Sequence, residues 1–314
     1  MCGAHAAHTS MSDKKMPASD KTAMGVAKQR LIETCMPEAE RVVTDPYAEY
    51  FVPGASVIKC MGGPCNVWLG DKILPGVHQL LIARTRHFDE EVMAAVMAGA
   101  TQFVMLGAGY DARGYRLPLP KTVKVFEVDQ PDVQALKKAK LAGVPGLALD
   151  AVSFVPVDFA VDSLEAELKR CPGFDPAAKS VFLLEGVTQY ISKTATSSTL
   201  KSLGKLCGRG SRIVVSYVDQ NTYDAPAKVC GSGYPAPEKK VGLLVSLAAR
   251  VSEPWISGWS QADFAAFLKS TSTFPKVLSD VSIDVLGERY FAPLGRPIPA
   301  EELLLVERYA VATN

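Results

Sequence analysis

Residues 103–129 read FVMLGAGYDARGYRLPLPKTVKVFEVD. One apolar run ends at Gly107-Ala108-Gly109, and a second, 123–129, ends at Asp129. Continuous apolar runs of strand length belong to strands covered on both faces, as in a parallel sheet. Gly107 and Gly109 permit a tight turn and close approach of the backbone to a ligand. Gly107, Gly109 and Ala112 also satisfy a loose dinucleotide pattern with alanine in the third place. Gly114, Pro118 and Pro120 interrupt the segment after the turn, so no long helix aims its N-terminus at a pyrophosphate, and a ligand without phosphate fits better. Asp129 is placed to accept the two ribose hydroxyls of an adenosine. Its competing reading is a helix cap ahead of Pro131.

The same design repeats outward. SFVPVD (153–158), SVFLLEG (180–186) and RIVVSYVD (212–219) are further apolar strands, and helix-like segments lie at 131–142, 162–171 and 193–207. In such sheets ligands sit beyond the carboxyl ends of the strands. After residue 220 the pattern changes. Residues 221–240, rich in Gly, Pro and Tyr, read as a mobile loop, with helices at about 241–250 and at 261–270. VSIDVLGERYF (281–291) and LLLVERYAVA (303–312) read as two strands whose short Pro-bearing connection implies antiparallel pairing. Residues 1–20 read as a disordered tail, 21–100 as a helical cap with an entry helix, and 101–314 as the core, with a cap insertion at about 221–258. An α/β sheet of five parallel strands finished by an antiparallel pair is the Rossmann-like layout of class I methyltransferases.

Three more charged residues carry the reading. Asp158 ends the third strand, where an acceptor meets the exocyclic amine of adenine; Asp162 with Glu165 forms the better capping box for the next helix. Glu185 interrupts the fourth strand after four apolar residues, so it needs a partner such as an ammonium, or else a structural salt bridge. In QLLIARTRHFDEEVMAAVMAGA (79–100), Leu81, Phe88, Val92 and Ala95 form one helical stripe, and Arg84 falls on it. An inward arginine requires an anion, either a ligand carboxylate or a protein acid. A cation for a carboxylate, an acid for an ammonium and two acids for an adenosine are the polar complement of S-adenosylmethionine.

Composition narrows the alternatives. The chain has 314 residues, is 48% hydrophobic and 21% charged, and carries a formal net charge of +1, so no global field draws it to nucleic acid or membrane. No apolar run reaches the roughly 18 residues of a membrane span. Seven cysteines without a CxxC pair give neither a metal site nor a disulfide framework, which favours a cytoplasmic location. Oligomeric state is not legible.

TAMGV (22–26), TDPYAEYFV (44–52), ARTRHFDE (83–90), LGAGYDARGYRL (106–117), VFEVDQP (125–131) and LLEGVTQYI (183–191) resemble the leucine carboxyl methyltransferase (protein phosphatase methyltransferase) family, in its bacterial-type branch. The likeness runs over roughly residues 20 to 220. It implies cofactor contacts at Arg84, Gly107, Asp129, Asp158 with Phe159, and Glu185, with Lys28 a further one. The family's phosphatase-specific surface has no counterpart in 220–280. The expected activity is O-methylation of a carboxylate, or of an acidic hydroxyl, on a small molecule or peptide. An ionised carboxylate needs no base, and the folded body holds only His78 and His87, neither of which lies just beyond a strand. Tyr190, Tyr223 and Tyr234 are candidates for orienting the acceptor. The rival readings are an NAD(P)-dependent oxidoreductase and a non-catalytic S-adenosylmethionine-binding module.

Overall fold

In the computed structural model, which describes residues 18–158, 161–250, 254–270 and 273–314, the apolar runs form one seven-stranded sheet. β1 (Gln102–Leu106), β2 (Lys124–Asp129), β3 (Val152–Pro156), β4 (Ser180–Leu184) and β5 (Arg212–Val218) are parallel. β7 (Glu307–Thr313) runs antiparallel to β5, and β6 (Lys276–Ser282) antiparallel to β7. The order is β3-β2-β1-β4-β5-β7-β6. The chain therefore winds outward from β1 to β3 and returns across β1 to β4. A crevice opens where that order reverses, beyond the carboxyl ends of β1 and β4.

Alternation along each strand feeds two cores. Phe103 and Met105 of β1 pack on one face with Phe88 and Val92; Val104 and Leu106 pack on the other with Leu168, Leu200 and Phe264. Each fully buried side chain of this kind contributes about 1.5–3 kcal/mol of transfer free energy.

The helices before β1 are α1 (Ala18–Thr34), α2 (Ala48–Phe51), α3 (Ala55–Met61), α4 (Gly63–Ile73) and α5 (Val77–Met97). α6 (Arg113–Arg116), α7 (Pro131–Leu141), α8 (Leu164–Arg170) and α9 (Lys193–Gly204) link the parallel strands. Beyond β5 come α10 (Asn221–Asp224), α11 (Pro237–Arg250), α12 (Gln261–Ser270) and α13 (Ile283–Tyr290). No helix among the described residues is long and apolar enough to cross a membrane.

Four expectations are corrected. Residues 281–291 are not a strand: β6 ends at Ser282, and Ile283, Leu286, Gly287 and Tyr290 are buried at helical spacing in α13. The stretch 221–240 is not one loop, because it contains α10, a 3-10 turn at Pro226–Val229 and the start of α11. The cap of α8 is Ser163, whose side chain accepts from Ala166 N, while Asp162 accepts from Asp158 N. Helix α1 begins inside the segment read as a tail, whose residues 1–17 lie outside the described residues.

Candidate active site

The crevice holds a cavity of about 520 Å³ between the carboxyl ends of β1, β2 and β4 and the helices α1, α5 and α11. The glycine turn forms its floor. Gly107 has φ +65° and Gly109 φ +46°, left-handed values that L side chains rarely adopt. A side chain would clash at Gly107 and be tight at Gly109. A Cβ at Gly107 would lie 2.7 Å from Val187 Cγ2, and one at Gly109 would lie 3.1 Å from the Ala23 Cβ. The turn then hands its amides to the next strand end. Gly109 N donates to Asp129 Oδ2 at 2.6 Å and Gln130 N to Oδ1 at 2.7 Å. This carboxylate is 9% exposed; burial pushes it above the ordinary aspartate range, against the pull of those two amides. Each oxygen has a lone-pair site left for a ligand hydroxyl.

At the other end, Arg84 is 3% exposed and enclosed by acids. Its Nε donates to Glu185 Oε1 at 2.9 Å, and its Nη1 to both oxygens of Glu307 at 3.0 and 2.9 Å. Nη2 donates to no described residue. Glu185 also accepts from Arg113 Nη1 at 2.5 Å. Burial drives the Glu185 carboxyl up, but Arg113 and then Arg84 outweigh it and hold the group below the ordinary glutamate range. Arg113 is 1% exposed and also binds Asp89 at 2.6 Å, Asp111 and the Thr85 carbonyl. Asp111 is raised by burial and lowered further by Arg113, Arg30 and Arg116, and ends well below its usual range. The two arginines thus fix Glu185 and Asp111 as anions at the cavity wall.

Arg84, Gly107, Gly109, Asp129, Glu185 and Tyr190 line the cavity together. Four other expected residues do not, and each has a local reason. Lys28 is exposed, on a face of α1 that points away while its neighbours Gln29 and Arg30 line the cavity. Asp158 is half-buried outside the lining, its backbone N–H bound to Asp162. The hydroxyl of Tyr223 is used on Ser257 O at 3.2 Å, and burial pushes it up to about 12. Tyr234 is a core residue, 5% exposed, donating to Pro75 O at 2.9 Å. Phe159 lies outside the described residues.

Sequence reading missed Arg113, Asp111, Glu307, Gln189 and Trp255, which build or line the wall. Glu307 had the clearest signal. It is an acid beside an apolar strand, the cue that singled out Glu185. Arg113 stood inside a stretch read for its glycines and prolines and not for its charges. No histidine lines the cavity among the described residues. His78 contacts Glu33 and Gln29, each at 2.9 Å, and both ring nitrogens of His87 are buried without a partner.

Relatives match the segment that carries these features. The sequence profile of the leucine carboxyl methyltransferase family matches residues 23–204. A protein of Mycolicibacterium gilvum (strain PYR-GCK) named "Putative S-adenosyl-L-methionine-dependent methyltransferase" is 34% identical over 207 residues, 63% of this chain and 66% of its own length, just short of two thirds. One of the same name from Mycobacterium marinum (strain ATCC BAA-535 / M) is 30% identical over 297 residues, 89% of this chain and 87% of its own. The fold is shared with a DUF574 family protein from Streptomyces avermitilis MA-4680 at TM-score 0.57 and 12% identity, covering 91% of this chain and 97% of that one. A solved structure of a "putative methyltransferase" from Thermobifida fusca YX superposes at TM-score 0.51 and 16% identity, covering 88% and 97%. Because the profile match spans more than half of the chain, from α1 through Arg84, the glycine turn, Asp129 and Glu185 to the end of α9, the chain belongs to the leucine carboxyl methyltransferase family.

Proposed function

We propose that the protein is an S-adenosylmethionine-dependent O-methyltransferase acting on a carboxylate of a small molecule or peptide. One observation carries the donor assignment: a buried carboxylate, Asp129, pinned by two backbone amides at one end of a cavity whose other end holds Arg84 against Glu185. The donor set fits. Asp111, Asp129, Glu185 and Glu307 line the cavity with Lys21, Arg30 and Arg84, leaving one net negative charge for a ligand that carries one net positive charge. Asp129 would hold the ribose hydroxyls, the free Nη2 of Arg84 the methionine carboxylate, and Glu185 the ammonium. When bound, S-adenosylmethionine supplies a methyl carbon on a positive sulfur.

A dinucleotide fits less well. Only the four-residue helix α6 succeeds the glycine turn, with Pro118 and Pro120 behind it, so no helix terminus is aimed at a phosphate. The acceptor assignment rests on the absence of a histidine among the described lining residues and on the weak basicity of the acids held by Arg113. Glu185 and Asp111 are held too acidic to take a proton at neutral pH, and no histidine is within the cavity. An acceptor that is already ionised needs none. The enzyme's contribution is to orient that oxygen and exclude water.

Calorimetric titration with S-adenosylhomocysteine and with NADH tests the donor. The homocysteine product should bind, and Asp129→Asn should weaken it by about 1–3 kcal/mol. Binding of NADH in its place, or unchanged affinity in the variant, would remove the assignment. For the acceptor, kcat/KM should be level between about pH 6.5 and 8.5; a steep rise through one basic group would favour a hydroxyl.

A further inference from the structure

Helix α4 is apolar on two opposite sides and covered on only one. Gly63 and Val67 turn inward. Gly63 is buried, and an added Cβ would lie 2.7 Å from Met36 N; Val67 is half-buried against the core that holds Leu31, Ile32 and Phe51. The opposite side presents Cys65, Trp68, Leu69, Lys72 and Ile73, which fall within roughly 140° of one another at 3.6 residues per turn, and all five are exposed. Trp68 is 59% exposed, Ile73 60% and Leu69 43%. The preceding helix α3 adds Val57 and Met61, exposed and four positions apart. A helix that is apolar all round is ordinarily buried, and clustered exposed hydrophobic side chains mark an interaction site.

The charges on this face have one sign. Lys72 is the one ionised side chain of the five, and its ammonium lies 5.1 Å from the centre of the Trp68 ring. Lys240 of α11 stands at the end of the face, donating to the Lys72 and Ile73 carbonyls. Asp71, the one acid of α4, is turned aside and accepts from Gly76 N at 3.2 Å. A tryptophan and two aliphatic side chains flanked by two ammonium groups match an anionic bilayer, whose acyl region lies just beneath negative headgroups. Tryptophan favours that boundary. A second copy of the chain matches less well, because a twofold contact would set the face against itself, Lys72 towards Lys72 without a carboxylate of α4 between them. We propose that α4 docks the protein on an anionic phospholipid surface, with Trp68, Leu69 and Ile73 inserted at headgroup depth and Lys72 and Lys240 on phosphates. The net charge of +1 supplies no attraction at a distance, so the contact is local to this face. It also abuts the site: Leu74, next to Ile73, lines the cavity, as does Leu247, itself 40% exposed. The inference stands on α4 and not on the methyl-donor reading.

The test sediments the full chain with sucrose-loaded vesicles of phosphatidylcholine alone and of phosphatidylcholine mixed with phosphatidylglycerol, without methyl donor. The anionic vesicles should bind about tenfold more strongly at low salt, and added salt should erode the difference. Trp68→Ser and Ile73→Ser should each lower the partition coefficient by about tenfold, and Lys72→Gln by about fivefold. These side chains are exposed, so each variant should melt within about two degrees of wild type. Tryptophan emission should shift to the blue on anionic vesicles, and Trp68→Phe should lose that shift while keeping most of the binding. No binding to anionic vesicles, equal binding to phosphatidylcholine, or binding untouched by Trp68→Ser and Ile73→Ser overturns the proposal. So does self-association of the free protein that Trp68→Ser abolishes, which would give the face to a second copy.

Discussion

Replacing Arg113 with methionine removes the cation on which three carboxylates converge. The guanidinium is bound to Asp89, Asp111, Glu185 and the Thr85 carbonyl, in a side chain 1% exposed. Methionine keeps much of the apolar stem, so the cost comes from the acids left behind. Asp89 retains two bonds from Arg116, at 2.5 and 2.7 Å, and Glu185 retains Arg84. Asp111 loses its one direct ion pair among the described residues. Removing one partner of a buried pair costs about 3–5 kcal/mol. With an unfolding entropy of roughly 2.1 cal/mol/K per residue, a chain of this length should lose about 5–8 °C of Tm at pH 7. The pH dependence gives a sharper check. Arg113 lowers the folded-state pKa of both Asp111 and Glu185, so its contribution is complete above the unfolded carboxylate values near about 4 and fades as pH falls below them. The gap between wild type and variant should therefore close in acid. Affinity for S-adenosylhomocysteine should drop about tenfold, because Glu185 is no longer held from both sides. Thermal unfolding across pH and calorimetry measure both effects. A variant within a degree of wild type, or a gap independent of pH, would refute the network.

Two further outcomes concern buried groups. His87 is held down to about 4, first by burial and then by Arg289, so the unfolded chain binds its proton more readily and stability falls as pH drops below about 6.5. Denaturant titration should show about 2 kcal/mol lost between pH 7 and 5, and His87→Leu should abolish most of that loss. Gly107→Ala forces a left-handed φ on an L-residue and pushes a Cβ into Val187, which should cost about 1–3 kcal/mol and lower Tm by a few degrees; unchanged melting would show that the turn can relax.

The parallel sheet is legible because strands buried on both faces need continuous apolar runs, and 103–106, 125–128 and 181–184 supply them with Glu127 the one break. The last third is less so. Ile283, Leu286 and Tyr290 carry helical spacing, but Val281 and Tyr290-Phe291 at its edges make the segment look like a strand. The helical stripe marked Arg84 as an inward cation. Its partners could not be named, because Glu185 and Glu307 lie on or beside strands 101 and 223 positions away and only the closed sheet brings them to it. For the same reason Arg84→Ala would not report on ligand affinity alone, because it would also strand two buried acids. Tyr223 and Tyr234 looked available as tyrosines of a loop, and backbone carbonyls across the fold had already taken their hydroxyls.

The position of β7 also sets an order of events. β6 is made before β7, yet β7 lies between it and β5, so β6 cannot join the sheet until its successor has inserted. The strand that completes the sheet also delivers Glu307 to Arg84. During synthesis, the guanidinium on α5 therefore cannot have its full set of acids until residue 307 has been made, 223 positions after Arg84.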